Sequence, residues 1–399
     1  MAHWLMGAAV AFAALAFATA AAAEAAQDGA EASRAEGAGP QEAAAGLYPG
    51  EEIREAAGFP AITWFAKGEA NAPLVVFVPG AHHTARVAYG GHDGSRAEDF
   101  LAHHLLERGY SVLAISYPIG IAEGGLPTDH PDFMIRDWGR QTAQLAAETI
   151  EAEGLTGGAI VAGWSMGGKL AQAAHEAARD AGLDLKLFIG LAATPGLPGL
   201  IAITREYPML PSGYADRRKN FDGWYQQVAA EGEEEGHTIV PEDVFKAQYQ
   251  GDIPINLQGY GQLFRDGAFV MDPAAAMEDA KPFHFDDYPL VGVIIPNGRR
   301  DKRHAITDQA AWGLYNANTL LSRYMGDVDV NALSDADWTR LTELADGLDE
   351  RLSHRVDGNH FFFMGATGAA ATAEAIASLD EEAAALKAEL TDLLGTPIN

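Results

Sequence analysis

From residue 47 onward, short apolar runs alternate with amphipathic segments of helical length. Helical periodicity runs through residues 96–108, 133–153 and 166–180. Continuous apolar runs joined by helices are typical of parallel strands that are buried on both faces. The pattern therefore predicts an α/β fold, with a mostly parallel central sheet and helices on both faces. The clearest apolar runs are residues 61–66, 74–78, 111–116, 159–162 and 187–191.

The alternation stops between residues 200 and 287, and a further apolar strand follows at 290–295. The interval is rich in aromatic residues and is either a mainly helical cap over a site or an extension with its own small core. We favour a cap over 200–287, because ligands bind at the carboxyl ends of parallel strands. Residues 303–356 are predicted to be a second, helical insertion, followed by a last helix at 367–394.

The chain before residue 47 is predicted to lie outside the folded domain, which spans 47–399. Residues 1–25 contain an almost unbroken apolar run followed by small residues, which indicates a signal peptide. Residues 26–46 consist largely of Ala, Glu and Gly and are predicted to be a flexible linker. Because Lys and Arg are absent from the first residues, an uncleaved anchor or a misassigned start remains an alternative. We expect a periplasmic or secreted protein with no stable membrane association after cleavage.

Composition excludes several classes of function. Acidic residues outnumber basic ones 56 to 27, so the net charge is -29. A surface of this charge repels the phosphates of nucleic acids and anionic lipids, so no nucleic-acid partner is expected. The chain has no cysteine, which excludes disulfides, thiolate metal sites and a cysteine nucleophile.

One motif points to specific chemistry, the pentapeptide Gly163-Trp164-Ser165-Met166-Gly167. It follows a predicted buried strand and opens a predicted helix. A serine in such a tight turn has a strained backbone, and small residues two positions before and after it avoid collisions. The turn lifts the hydroxyl clear of the sheet, where the helix N-terminus favours developing negative charge. This setting indicates a nucleophilic serine at position 165.

With this motif the chain resembles the serine members of the α/β-hydrolase superfamily, over roughly residues 60–394 outside the cap. That resemblance implies a triad in the chain order serine, acid, histidine. The acid would be Asp301, in the loop after the strand at 290–295, with Asp327 and Asp357 as substitutes. The histidine would be His360, within the sequence Gly-Asn-His-Phe before the last helix. In such a triad, the imidazole activates the serine and the carboxylate orients the imidazole.

The resemblance also implies an oxyanion hole of two backbone N–H groups. One belongs to Met166, and the other to Ala81, or to His82 if the loop is one residue longer. We expect the substrate pocket to be lined by His82, Trp164, Trp224 and Tyr225. The histidines near position 82 could instead form a metal cluster, but adjacent histidine side chains project apart and no i, i+4 pair is present. No metal and no cofactor is expected.

The sequence thus predicts a serine hydrolase that cleaves a small-molecule carboxylic ester with an apolar group through an acyl-enzyme. Two alternatives stay open. The same triad and fold could serve acyl transfer or cofactor-free perhydrolysis, in which water is replaced as acceptor. A non-catalytic hydrolase-like binding protein is the other alternative, although none of the three triad residues is missing from the sequence.

Overall fold

The computed structural model describes residues 46–398, which belong to one compact unit. The predicted signal peptide lies outside the described residues, as does the predicted linker except for Gly46. Within the described part, the chain forms twelve strands: β1 (Glu51–Ala56), β2 (Phe59–Ala66), β3 (Leu74–Val78), β4 (Ser111–Ser116), β5 (Gly120–Ile121), β6 (Ala159–Trp164), β7 (Leu185–Leu191), β8 (Gly251–Asp252), β9 (Gln262–Arg265), β10 (Ala268–Met271), β11 (Val291–Pro296) and β12 (Ser353–Val356).

Eight of these strands form the central sheet in the order β1-β2-β4-β3-β6-β7-β11-β12. From β4 to β12 every neighbouring pair is parallel, whereas β2 is antiparallel to both β1 and β4. The helices are α1 (Leu101–Glu107), α2 (Ile135–Glu153), α3 (Ala171–Asp180), α4 (Phe221–Glu235), α5 (Glu242–Val244), α6 (Pro273–Ala280), α7 (Lys302–Thr319), α8 (Asp335–Asp346), α9 (Leu348–Arg351) and α10 (Ala366–Leu394).

Strand β3 shows how the sheet is covered on both faces. Leu74, Val76 and Val78 belong to a core that includes residues of α2, α3 and α7. Val75 and Phe77 belong to a second core, on the other face, with residues of α1 and α10. All five side chains are buried, as expected for a central strand between two helical layers. The fold class predicted from the sequence, α/β with a mostly parallel central sheet and helices on both faces, is confirmed.

The two outer strands of the sheet, β1 and β12, were not predicted from the sequence. The proposed helical insertion at 303–356 is wrong at its end, because its last four residues form β12. The segment is the crossover that leads from β11 through α7, α8 and α9 to β12, which pairs in parallel with β11. At the opposite edge, β1 was not predicted either. Both strands carry charged or polar residues because one side of an edge strand faces solvent, so neither has a continuous apolar run.

The segment predicted to be a cap, residues 200–287, contains α4, α5 and α6. A π-helical turn, Phe245–Tyr249, continues α5, and β9 and β10 form a hairpin. Strand β8 pairs with β5, which follows β4, and so ties this segment to the loops at the carboxyl end of the sheet. The insertion is therefore helical in large part, with three short strands outside the central sheet. None of the helices in residues 46–398 is both long and apolar enough to cross a membrane.

A buried ion pair joins the first strand, the loop after β3 and the cap. Arg86 Nε and Nη2 donate to the two carboxylate oxygens of Glu51, each at 2.7 Å, and both side chains are fully buried. Arg86 also donates to the carbonyl oxygens of Gln248, at 2.9 Å, and Gly46, at 3.2 Å. The Tyr89 hydroxyl donates to Glu51 as well. Removing one partner would leave a buried charge without its counterion.

We therefore expect Glu51→Gln to lower the free energy of unfolding by about 3–5 kcal/mol, since breaking a buried pair strands the remaining charge. Urea unfolding followed by circular dichroism measures the loss. The neighbouring Glu52→Gln is the matched control, because Glu52 is exposed and lies 3.8 Å from Arg54. It should change stability by no more than about 0.5 kcal/mol. Equal effects of the two variants would contradict a structural role for the buried pair.

Candidate active site

Ser165 lies at the sharp turn between β6 and α3. It begins a 3₁₀ turn, Ser165–Leu170, and its φ of +53° lies in the left-handed region, which side chains other than glycine rarely adopt. A Cβ on Gly163 would lie 2.8 Å from the Gly167 carbonyl oxygen, so only glycine fits there. At Gly167 a Cβ would lie 3.1 Å from the carbonyl oxygen of Val78. The two glycines allow the strained turn that presents Ser165.

Ser165, His360 and Asp301 form a continuous chain of hydrogen bonds. His360 Nε2 lies 2.9 Å from Ser165 Oγ, and His360 Nδ1 lies 2.6 Å from Asp301 Oδ2. Asp301 follows β11 and His360 follows β12, so both stand at the same edge of the sheet as Ser165. Asp357, which the sequence left open as an alternative acid, accepts instead from the Asn297 side chain at 3.0 Å.

The groups around this chain of hydrogen bonds favour the ionised form of the Asp301 carboxyl. Burial alone would raise its pKa, but the charge of His360 and the hydrogen bond from its ring hold the pKa below its usual value. The ring of His304 stacks on His360 with ring centres 5.2 Å apart, and His304 Nδ1 lies 2.8 Å from Asp308 Oδ2. A second histidine–aspartate pair therefore packs against the first.

The loop after β3 approaches Ser165 closely. A Cβ on Gly80 would lie 2.8 Å from Ser165 Cβ, so glycine is required for this approach. The backbone N–H of His82 donates to the Tyr117 hydroxyl at 3.1 Å, and that hydroxyl donates to the Gly80 carbonyl at 2.7 Å. Because the N–H of His82 is engaged, Ala81 is the better of the two loop donors that the sequence left open.

The cavity beside Ser165 has a volume of about 170 Å³ and is lined by both the sheet loops and the insertion. The sheet side contributes Ala81 and Met166, the two residues whose N–H groups were expected to face the reacting carbonyl. Since the first N–H groups of a helical turn have no partner within it, the N–H of Met166 is available. The insertion contributes Ile201, Arg217, Trp224, Gln258 and Tyr260.

Two of the expected pocket residues do not line this cavity. The side chain of His82 is fully buried, since the backbone at this residue has a φ of +67° and its ring stacks on Trp224. The neighbouring His83 lines the cavity instead, and burial lowers its pKa to about 3. Tyr225 packs against Phe245 on the other side of α4. Trp164 and Trp224 do line the cavity, as expected.

Sequence reasoning also missed the basic side chains of the cavity, Lys169, Arg217 and Arg303. Lys169 is 6% exposed, and its ammonium donates to the carbonyl oxygen of Gln258. Burial and the nearby charge of Arg217, Arg303 and Arg205 hold the pKa of Lys169 well below its usual range. One feature of the sequence could have indicated Lys169: it follows the motif serine by one turn, at a helix position where a buried residue is expected.

The loop that carries His360 is fixed from two sides. The indole N–H of Trp164 donates to the His360 carbonyl oxygen at 3.0 Å. From the cap, Glu231 Oε1 accepts from the Asn359 backbone N–H at 2.7 Å, and the Gln227 carbonyl accepts from the Asn359 side chain at 2.8 Å. The residue before the motif serine and helix α4 of the cap therefore hold this loop together.

Potential metal ligands come together in two places within residues 46–398. One group is His103, His104 and Glu107 on α1, and the other is Asp301, His304 and His360. The second group includes two members of the hydrogen-bond chain, whose nitrogen and oxygen atoms already bind one another. The cluster considered from the sequence around His82 is not among these groups.

No protein-family model and no curated protein sequence matches the chain. Among solved structures, an AqdC variant in complex with its substrate, the Pseudomonas quinolone signal, is 14% identical with a TM-score of 0.41, covering 82% of this chain and 99% of that chain. A thermophilic esterase from Thermogutta terrifontis is 14% identical with a TM-score of 0.38, covering 81% and 94%. N-formylmaleamic acid deformylase from Pseudomonas putida S16 is 13% identical with a TM-score of 0.36, covering 82% and 99%. Sequence identities and TM-scores this low do not indicate which, if any, of the activities named for these proteins this chain has.

The cap contact to the histidine loop makes stability depend on pH. Burial raises the pKa of Glu231 from 4.5 to about 7, against the opposing effect of the Asn359 N–H. Between about pH 5 and pH 7, the folded protein therefore holds a proton that the unfolded chain has lost. Because the folded state binds more protons in this range, its stability falls as the pH rises.

We expect Glu231→Gln to reduce the fall in Tm between pH 5 and pH 8.5, because glutamine has no charge to bury and keeps an oxygen for the Asn359 N–H. Differential scanning calorimetry at both pH values measures the effect. The control is Glu233→Gln on the same helix, where the glutamate is exposed. If both variants change the pH dependence equally, burial of Glu231 is not its cause.

Proposed function

We propose that this protein is a serine hydrolase that cleaves a carboxylic ester through an acyl-enzyme intermediate. The proposal rests on the hydrogen-bond chain from Ser165 Oγ through the His360 ring to Asp301. A hydroxyl is a weak nucleophile until a neighbouring base accepts its proton, and an imidazole held by a carboxylate is suited to that task. The strained backbone of Ser165 supports the proposal, because such strain persists where function requires it.

In the first half of the reaction, Ser165 Oγ attacks the ester carbonyl carbon while His360 Nε2 accepts the hydroxyl proton. Asp301 stabilises the resulting imidazolium and fixes the orientation of the ring. The backbone N–H groups of Met166 and Ala81 donate to the oxyanion of the tetrahedral intermediate. The intermediate collapses, the bond to the alcohol oxygen breaks, and His360 gives its proton to the leaving alcohol.

In the second half, water takes the place of the alcohol. His360 accepts a proton from water, whose oxygen attacks the acyl carbonyl and forms a second oxyanion at the same N–H groups. Collapse of this intermediate releases the carboxylic acid and returns the proton from His360 to Ser165. The net reaction consumes one water and one ester and yields one acid and one alcohol, without a cofactor.

The apolar part of the cavity wall suits the carbon chain of such an ester. Trp164 and Trp224 supply aromatic surface and Ile201 supplies aliphatic surface. Burial of a substrate's carbon atoms against these side chains contributes about 25 cal/mol for each Å² removed from water. The small volume of the cavity favours a short chain on the side of the ester that enters it.

We expect Ser165→Ala to lower kcat/KM for a 4-nitrophenyl ester by roughly 10³-fold or more while the protein stays folded. A fluorophosphonate probe should label the wild-type protein at Ser165 and leave the variant unlabelled, as read by peptide mass mapping. Ser353→Ala, at a serine in β12 away from the cavity, is the control and should keep its activity. Activity above about a tenth of the wild-type value in Ser165→Ala would exclude Ser165 as the nucleophile.

A second expectation concerns the acid. Asp301→Asn should lower kcat by roughly 10³–10⁴-fold, because an asparagine cannot stabilise the imidazolium and favours the wrong ring tautomer. Asp357→Asn is matched in chemistry and should leave kcat nearly unchanged. Steady-state kinetics with a 4-nitrophenyl ester compares the two. A large loss in Asp357→Asn with none in Asp301→Asn would reverse the assignment of the acid.

A further inference from the structure

The cavity beside Ser165 contains several basic side chains and no acidic one. Lys169, Arg217 and Arg303 line it, and none of the described residues that line it is Asp or Glu. This is unusual for a chain in which acidic residues outnumber basic ones 56 to 27. Random placement on such a chain would put more acidic than basic side chains at the cavity, so the excess of basic groups there requires a separate explanation.

The three basic groups bind only neutral acceptors. Arg217 Nη1 donates to Gln258 Oε1 at 2.6 Å, and Lys169 donates to the carbonyl oxygen of the same residue. Arg303 Nη2 donates to the Leu200 carbonyl oxygen at 2.7 Å. Across residues 46–398, none of the three has a carboxylate within 4.0 Å. The Nε of Arg217 is buried and has no hydrogen-bond partner in this part of the chain.

This arrangement is costly without a counterion. A buried charge that lacks a partner loses its hydration, and like charges nearby add repulsion. Lys169 experiences both, since it is buried and faces Arg217, Arg303 and Arg205. A bound anion would offset the repulsion among these basic groups. The cluster is therefore arranged as a receptor for an anionic group within reach of Ser165.

We infer that the ester carries a carboxylate on its acyl side, which Arg217, Lys169 and Arg303 bind while Ser165 attacks the ester carbonyl. This inference rests on the proposed function and names its substrate class, the monoesters of short dicarboxylic acids. Arginine presents a planar pair of N–H groups that matches the two oxygens of a carboxylate. The cavity, at about 170 Å³, is smaller than the roughly 300–1,000 Å³ of pockets for drug-sized ligands, which fits a short acyl chain.

The alcohol side of the ester has a separate space. An outer cleft of about 1040 Å³ shares Arg217 and Trp224 with the inner cavity, so these two side chains stand where the spaces meet. Its charges are mixed, since the carboxylates of Glu206 and Asp216 line it together with the basic side chains of Arg205, Arg217, Arg218 and Lys219. Of these two spaces, the inner cavity is the one with basic side chains and no carboxylate, and the anionic end of the substrate is therefore assigned to it.

The test compares two substrates that differ in one charge. 4-Nitrophenyl hydrogen glutarate has a free carboxylate, and its methyl ester, 4-nitrophenyl methyl glutarate, has the same chain and leaving group without the charge. We expect kcat/KM to be at least about tenfold higher for the charged ester, mainly through a lower KM. Equal values, or a preference for the neutral ester, would overturn the inference while leaving the serine mechanism intact.

Variants locate the preference at the cluster. Arg217→Gln should reduce the ratio of charged to neutral kcat/KM by about tenfold, and Arg217→Lys should restore part of it because the charge returns without the planar fork. Lys169→Met gives a second variant, in which an apolar side chain of similar length replaces the buried amine. Arg108→Gln removes an exposed charge just after α1, at a residue that does not line the cavity, and should leave the ratio unchanged. A ratio that none of the cavity variants alters would place the preference elsewhere and overturn the assignment.

A binding measurement separates this inference from the proposed function. Isothermal titration calorimetry of Ser165→Ala with glutarate, with inorganic phosphate and with the neutral dimethyl glutarate does not depend on hydrolysis. We expect binding of glutarate, weaker binding of phosphate and none of the diester. Binding of glutarate by a protein that hydrolyses no ester would retain the anion site and reject the esterase. If the protein hydrolyses neutral esters but does not bind glutarate, the esterase proposal is retained and the anion site is rejected.

Discussion

The left-handed backbone of Ser165 is the constraint on which the geometry of the site depends. It is possible only because Gly163 and Gly167 leave room for the turn and because Gly80 lets the neighbouring loop approach Ser165. The three glycines stand at the ends of β3 and β6, which are adjacent in the sheet. Sheet register therefore sets the distance between the serine and the loop of Ala81. A side chain at Gly80 or Gly167 would press these two segments apart, and one at Gly163 would collide with the turn itself.

The distribution of charge gives the site a character opposite to that of the whole chain. The protein carries a net charge of -29, yet the cavity beside Ser165 is lined by basic side chains. Elsewhere buried cations are neutralised within the fold, as Arg86 is by Glu51. Among the described residues, Arg86 is thus paired with a carboxylate, whereas Lys169, Arg217 and Arg303 donate only to neutral oxygens. Trp164 and Trp224 add aromatic surface beside these basic side chains.

The sequence predicted those features that depend on local patterns. Buried strands such as β3 and β6 have continuous apolar runs, and the turn at Ser165 has its glycines at fixed spacing. The edge strands β1 and β12 could not be predicted in this way, because their solvent-facing residues break the apolar pattern. The directions in which side chains point could not be predicted from the sequence either. His82 and His83 are adjacent, and only the left-handed backbone at His82 turns one ring into the core and leaves the other at the cavity.

The basic cluster was not predicted for a different reason. Lys169, Arg217 and Arg303 come from the 3₁₀ turn before α3, the insertion and α7, and no spacing along the chain relates them. Their meeting depends on how the insertion folds back over the sheet, which is a property of tertiary packing. The hydrogen bonds from α4 to the His360 loop have the same origin, since Gln227 and Asn359 are far apart in sequence.

Those bonds from α4 couple the insertion to the position of His360. If α4 moved away, the Asn359 backbone N–H and side chain would lose their acceptors, and the loop that carries His360 would keep only its hydrogen bond from Trp164. The position of α4 and the geometry of the His360 loop are therefore coupled, and a change in one alters the free energy of the other. The insertion thus acts on the hydrogen-bond chain of Ser165 through the backbone of a neighbouring loop, without touching the serine hydroxyl itself.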